Sequence, residues 1–187
     1  ALMPTGLTDH PTTLIVDLGA TKTTFIVVSR GVVRFTVTIP FESDTLTKAL
    51  ANQLKVTTEK AEKLKATFGL DATKDDGKVA RVIQPKLKFL VEQIKRYIDF
   101  YNSHPVHEHI NDRGIKQISL SGGGAKLIGL EMYLSKSLQL PVTTGNPWVN
   151  VLTTPFNKLM AATYQQSTHY TTALGLAIRG IKEYGKR

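Results

Sequence analysis

Between Thr12 and Ile39 the chain passes through three segments rich in Val, Ile, Thr and Phe: Thr12 to Leu18, Thr23 to Ser29 and Val32 to Ile39. Only Gly19-Ala20-Thr21-Lys22 and Arg30-Gly31 separate them. β-Branched and aromatic residues suit a pleated, half-buried surface. Links this short cannot make the long crossover that parallel neighbours need. The stretch therefore predicts a three-stranded antiparallel meander, ended by Pro40.

Downstream the apolar spacing lengthens to a helical one. Leu46, Leu50 and Leu54 predict a helix over about 44–54. Ala61, Leu64 and Phe68 predict a second over about 57–68, with Thr57 as N-cap and Gly69 as its stop. Asp71 to Lys78 is polar and reads as loop. Ile83, Leu87, Leu90, Ile94, Tyr97 and Tyr101 then recur at alternating steps of four and three, one face of a long helix. Pro85 should end a first turn or kink that helix. Lys116 to Leu120 predicts a short strand, Ser121 to Ala125 a glycine turn, and Leu127, Leu130, Leu134 and Leu138 a helix. Pro141 to Thr143 predicts another strand and Thr172 to Tyr184 a final helix. Strand, glycine turn, helix, strand is the grammar of an α/β fold. Residues 1–42 and 115–187 are expected to form the sheet subdomain, and 43–114 a mostly helical insertion.

A chain of 187 residues with 41% hydrophobic residues can build one domain, or two small lobes, around a proper core. It has no cysteine, which excludes a disulfide framework, thiolate-bound metals and a thiol nucleophile. Its aliphatic runs, Leu14-Ile15-Val16 and Phe25 to Val28, fall far short of the roughly 20 residues of a membrane span. With no signal-peptide pattern at the start, the chain reads as soluble and of a reducing compartment. The formal net charge of +9 favours anionic partners, whether nucleotide, nucleic acid or an anionic leaflet, or merely solvated lysines.

Four motifs could carry chemistry. Asp17-Leu18-Gly19-Ala20-Thr21-Lys22-Thr23-Thr24 places an acid at a strand end before a glycine-and-threonine turn. Its N–H groups and hydroxyls could cradle a phosphate, and Asp17 could hold a metal-bound water; an ordinary hairpin turn is the competing reading. Ser121-Gly122-Gly123-Gly124-Ala125-Lys126 strips side chains from the backbone where a base or phosphate could lie, yet fits neither the P-loop nor the Rossmann spacing. If Gly123 and Gly124 floor a base, Gly124→Val should abolish binding and leave the fold mostly intact; a tight strand–helix turn would instead lose stability. Glu62 and Lys65, at i and i+3, share a helix face and could serve ribose hydroxyls, or be a surface charge pair. His104, His107, Glu108 and His109 invite a metal, but Pro105 makes the segment irregular and a solvated loop is the simpler account.

The order of the first three motifs resembles domain II of the actin, sugar-kinase and Hsp70 ATPase superfamily. The resemblance implies that Asp17, Gly19, Ala20, Thr21 and Thr23 form a phosphate loop, and that Glu62 and Lys65 form the ribose pair. Gly122, Gly123, Gly124 and Ala125 become the adenosine motif. Within the superfamily, LIVDLGATKTTFIVVSRGVVRFTVTIP, AEKLKATFGL, ISLSGGGAKLIGLEMYLSKSLQLPV, GNPW and ALGLAIRG resemble the type IV pilus assembly protein PilM family. Relatives of cell division (FtsA) and of type II secretion (GspL) are the alternatives, followed by a sugar-kinase half.

The resemblance implies ATP as cofactor and Mg, with Asp17 acting through water. It implies location at the cytoplasmic side of the inner membrane and inner-membrane pilus proteins such as PilN as partners. Self-association is compatible with it. Only 16 residues precede Asp17, so an N-terminal actin-like domain is expected to be missing. This chain alone is then expected to be non-catalytic, within a parent that is at most a slow ATPase. Residues 55–96 carry 11 Lys/Arg against 6 Asp/Glu. The aromatics Phe89, Tyr97, Phe100 and Tyr101 follow the apolar face, however, so they read as core, and no nucleic-acid partner is expected.

Overall fold

The computed structural model describes residue 2 and residues 11–104, 114–150 and 167–184. Three strands open it: β1 (Thr13–Leu18), β2 (Thr23–Ser29) and β3 (Val32–Ile39). Helices α1 (Ser43–Leu54), α2 (Thr58–Phe68) and α3 (Lys78–Ser103) follow. Then come β4 (Gln117–Ser121), α4 (Leu130–Leu138), β5 (Val142–Thr144) and α5 (Thr171–Tyr184). All five strands form one sheet in the order β3-β2-β1-β4-β5. β1 pairs antiparallel with β2, and β2 with β3, as the short links require. β4 and β5 run parallel to β1, each reached through helices.

Alternation sets the buried face of the sheet. Leu14, Val16 and Leu18 of β1 share it with Phe25 and Val27 of β2 and with Ile118 and Leu120 of β4, all buried. Helix α3 lies on that core through Ile83, Leu87, Leu90 and Ile94. Its Tyr97 meets Phe25 edge-on at 5.6 Å and Phe35 at 6.2 Å. One hydrophobic cluster thus joins the sheet to all three middle helices. Tyr97 and Tyr101 are partly buried as core, but Phe89 and Phe100 are exposed.

The caps follow local chemistry. The Thr57 hydroxyl accepts from the Lys60 amide at 3.3 Å, and Gly69 ends α2 at φ 51°. Two details differ from expectation. α3 starts at Lys78, after Gly77 in the left-handed region and at the expected end of the polar loop, but Pro85 does not end a first turn and the helix runs on through it. Pro85 is exposed, as is Arg81, whose carbonyl loses its donor and can turn to water. α4 starts at Leu130 rather than Leu127, because Gly129 at φ 80° interrupts the chain after a 3-10 turn over Gly123–Lys126. His104 closes α3: its ring stacks on Phe100 with centroids 4.6 Å apart, and Nδ1 lies 3.0 Å from the Phe100 carbonyl. His107, Glu108 and His109 lie outside the described residues. Among the described residues no helix is long and apolar enough to cross a membrane.

Candidate functional site

A cleft of about 1130 Å³ opens beyond the carboxyl ends of β1, β4 and β5. Ala20 lines it after β1, Gly123 to Lys126 after β4, and Thr144 and Gly145 after β5. α1 adds Ser43, Asp44 and Leu46, α2 adds Glu62, Lys65 and Ala66, and Ser167 to His169 close another side. Open α/β sheets bind ligands at this end of their strands.

The hairpin turn after β1 is built tightly. The Gly19 amide donates to the Lys22 carbonyl at 3.0 Å. Helix α1 has no side-chain N-cap. Its Ser43 amide instead donates to the Gly19 carbonyl and its Asp44 amide to the Ala20 carbonyl, both at 3.2 Å. Two amides that a helix start would otherwise leave open are thereby used to hold the turn. Ala20, Thr21 and Lys22 are exposed. Thr23 is turned inward: it is fully buried, and its hydroxyl donates to the Phe41 carbonyl at 2.8 Å. Its side chain fixes the strand-to-helix link and is not presented to a ligand.

Parallel pairing sets Asp17 of β1 beside Ser121 of β4. Ser121 Oγ is buried without a hydrogen-bond partner among the described residues. Gly122 follows at φ 79° and ψ 176°, a conformation kept for glycine. A Cβ there would stand 2.5 Å from the Leu18 carbonyl oxygen and 2.7 Å from Asp17 Oδ1. Gly122 therefore lets the turn pass against the end of β1. At Gly124 a Cβ would meet Ser43 Oγ, and Leu18 Cβ at 2.8 Å. At Gly123 it would meet His169 Cε1 at 2.9 Å. The positions that a Cβ would take at Gly123 and Gly124 are occupied by the protein's own atoms, so the expectation that Gly124→Val would spare the fold gives way.

Glu62 and Lys65 are joined by a third residue that the sequence did not single out. Lys65 Nζ lies 2.7 Å from Glu62 Oε2 and donates to Thr47 Oγ1 at 2.8 Å. The Thr47 hydroxyl in turn donates to Glu62 Oε2 at 2.5 Å. Burial acts to raise the Glu62 pKa, but the hydrogen bonds from Lys65 and Thr47, with the Lys65 charge, hold it below the ordinary carboxylate value. Glu62 keeps more than half its side chain exposed, whereas only 13% of the Lys65 side chain is. The charged oxygens of Glu62 can still accept from hydroxyls in the cleft.

The sequence also gave no sign of His169. Burial, then the nearby Lys126 charge, lowers its pKa, and burial lowers that of Lys126. A neutral imidazole and an ammonium thus stand beside the glycine turn. Of the sequence-derived candidates, Ala20, Glu62, Lys65, Gly123, Gly124 and Ala125 line the cleft. Asp17, Gly19, Thr21, Thr23 and Gly122 do not line it, though Gly19 and Thr21 belong to the Ala20 turn. Among the described residues no group of three or more His, Cys, Asp or Glu could hold a metal ion.

A family model described as "Type IV pilus assembly protein PilM" matches residues 1–181. Among solved structures, a chain of a PilM–PilN type IV pilus biogenesis complex is similar at 24% identity and a TM-score of 0.75; the alignment covers 91% of this chain and 46% of that one. MreB5 of Spiroplasma citri bound to ADP gives 14% identity and a TM-score of 0.66 over 95% and 56%. Ta0583, an archaeal actin homolog, gives 10% and 0.56 over 91% and 50%. The chain has the actin-like fold and spans about half the length of these solved relatives.

Proposed function

The chain belongs to the type IV pilus assembly protein PilM family, and from that premise we propose that it is the nucleotide-binding half of an actin-fold protein that binds ATP and supports assembly of the pilus inner-membrane complex. The observation that carries this reading is convergence. Motifs up to about a hundred residues apart in sequence, at Ala20, at Glu62 and Lys65, and at Gly123 to Ala125, line one cleft. Its volume of about 1130 Å³ exceeds what a drug-sized ligand requires, and it lies at the strand ends where nucleotides bind.

In this reading Glu62 and Lys65 bind the ribose hydroxyls, and Gly123 to Ala125 lie against the base. The exposed turn at Gly19, Ala20 and Thr21 faces the phosphates. Thr23 and Gly122 act only by shaping the backbone beneath them. Asp17 does not line the cleft, so it would act on a Mg ion only indirectly, through a bridging water. The remaining phosphate contacts would come from an N-terminal actin-like domain, so residues 1–187 by themselves bind weakly and do not turn over ATP. In this reading the lobes divide as 1–42 with 115–187 and 43–114. PilN is the partner that the family and the PilM–PilN structure favour, at the cytoplasmic face of the inner membrane.

The test is thermal melting of the full-length protein with and without ATP-Mg. A ligand at a hundred times its Kd adds about 2.7 kcal/mol, which for a protein about twice the length of this chain raises Tm by roughly 2–5 °C. Glu62→Ala should lose most of that rise, on a nucleotide-free Tm lowered by the loss of its bonds to Lys65 and Thr47. No rise at millimolar ATP-Mg refutes the proposal.

A further inference from the structure

Thr47 stands apart from every motif, yet it joins two of them. It is 4% exposed on the second turn of α1, and its single hydroxyl both accepts from Lys65 and donates to Glu62. The same helix begins by donating its first amides to Gly19 and Ala20 of the hairpin turn. α1 is thus a short rigid strut with the turn at one end and the Glu62–Lys65 pair one helical turn further on.

We infer that Thr47 is a positioning residue that fixes Glu62 and Lys65 for recognition of a ribose diol and holds them in register with the hairpin turn. The inference rests on the ribose reading proposed above. The chemistry requires such a device. Glu62 and Lys65 at i and i+3 would pair with each other in any rotamer that brings their ends together, and an exposed ion pair of that kind is weakly ordered. A buried hydroxyl between them supplies one donor and one acceptor. It takes up one oxygen of Glu62 and one proton of Lys65, and with a second proton of Lys65 directed at Glu62 Oε2 this leaves Glu62 Oε1 and the third ammonium proton in a fixed direction. A diol offers two donors and several acceptors at fixed spacing, and a pre-set carboxylate–ammonium pair matches it. A loose pair would have to be ordered by the ligand at a cost in affinity.

The experiment compares binding of ATP and 2′-deoxyATP by the full-length protein, using isothermal calorimetry or displacement of a fluorescent nucleotide. Wild type should prefer ATP by about tenfold, as expected for one charge-assisted hydrogen bond. Thr47→Val, which keeps the shape and removes the hydroxyl, should weaken ATP about tenfold and bring the ratio near one; Thr47→Ser should restore both. Thr47→Ala carries the same expectation should the valine variant fail to fold. A merely structural role would lower Tm without changing the ratio. If Glu62→Ala abolishes the ratio while Thr47→Val and Thr47→Ala keep it, the positioning role is overturned and the ribose reading stands. If wild type shows no preference and Glu62→Ala binds ATP normally, the ribose reading falls and takes the role of Thr47 with it.

Discussion

Three glycine-to-alanine substitutions separate what the glycine turn owes to backbone conformation from what it owes to space. Gly31 has φ 74° but nothing within 4 Å of a Cβ. Gly124 has no positive φ, yet its Cβ would fall on Ser43 Oγ and 2.8 Å from Leu18 Cβ. Gly122 combines both conditions, with φ 79° and the Leu18 carbonyl oxygen 2.5 Å from the Cβ. Gly31→Ala should cost about 1–2 kcal/mol, the left-handed penalty alone. Gly124→Ala should cost about 1–3 kcal/mol of overpacking, toward the low end because the Ser43 hydroxyl can rotate. At Gly122 the obstacle is backbone, which cannot rotate away. Strain of about 1–3 kcal/mol joins a similar overpacking cost, giving about 2–6 kcal/mol out of a total stability of roughly 5–15. Urea melts report it: with a slope near 2 kcal/mol/M, a loss of about 4 kcal/mol lowers the midpoint by about 2 M. The slope should stay the same, since one added methyl hardly changes the surface exposed on unfolding. A Gly122→Ala protein no less stable than Gly31→Ala would show that the contact with the end of β1 does not constrain the turn.

Leu50→Ala empties a fully buried position between the sheet and the middle helices, so it should lower the unfolding free energy by about 2–5 kcal/mol in the same assay. Thr57→Ala removes the one side-chain acceptor at the start of α2 and should cost about 1 kcal/mol, with no loss of nucleotide response. Stability should fall with acid in two stages. The His169 pKa lies below the ordinary 6.5 in the fold although the residue is largely exposed, so the unfolded chain takes up the proton first and stability should drop modestly as pH falls through about 6.5. Glu62, lowered from 4.5, contributes above that value and is lost below it. His169→Gln should flatten the upper stage of a pH series of melts and leave the lower one; an unchanged upper stage would sink the assignment.

What could be read from sequence was what local periodicity dictates. Leu46, Leu50 and Leu54, or Ile83 to Tyr101, mark a buried face because each helix has one. The short links at Gly19 and Arg30 force antiparallel neighbours. Thr57 and Gly69 act within one turn of themselves. The start of α3 falls within one residue of the expected end of the polar loop at Lys78, and Val79, Val82 and Ile83 continue its buried face. Other features had no local signature. That β4 inserts beside β1, putting Ser121 next to Asp17, is a choice among distant partners. Thr47 looks like any helical threonine until the crossing of α1 over α2 sets its hydroxyl between Glu62 and Lys65. Thr23 matched a motif by type, but strand alternation turned it inward to Phe41.

The glycine strip and the charged pair therefore carry different information about function. A base lying on Gly123 would have to share space with the imidazole of His169, whose Cε1 stands 2.9 Å from a Cβ at that glycine. Any substitution in the strip disturbs protein–protein contacts before it disturbs a ligand, so a binding loss there is confounded with strain. Glu62 is exposed and its partners are the side chains of Lys65 and Thr47, so removing its carboxylate costs the stability of those two contacts but leaves the apolar core in place, and a binding loss beyond that cost reports what the cleft can hydrogen-bond. Truncating Lys126 is similarly informative, because the residue is largely exposed yet its charge acts on His169. Lys126→Met should raise the His169 pKa by removing the nearby positive charge, visible in the imidazole NMR titration. If the titration stays in place, burial alone sets the His169 pKa, and the two groups do not act together at that end of the cleft.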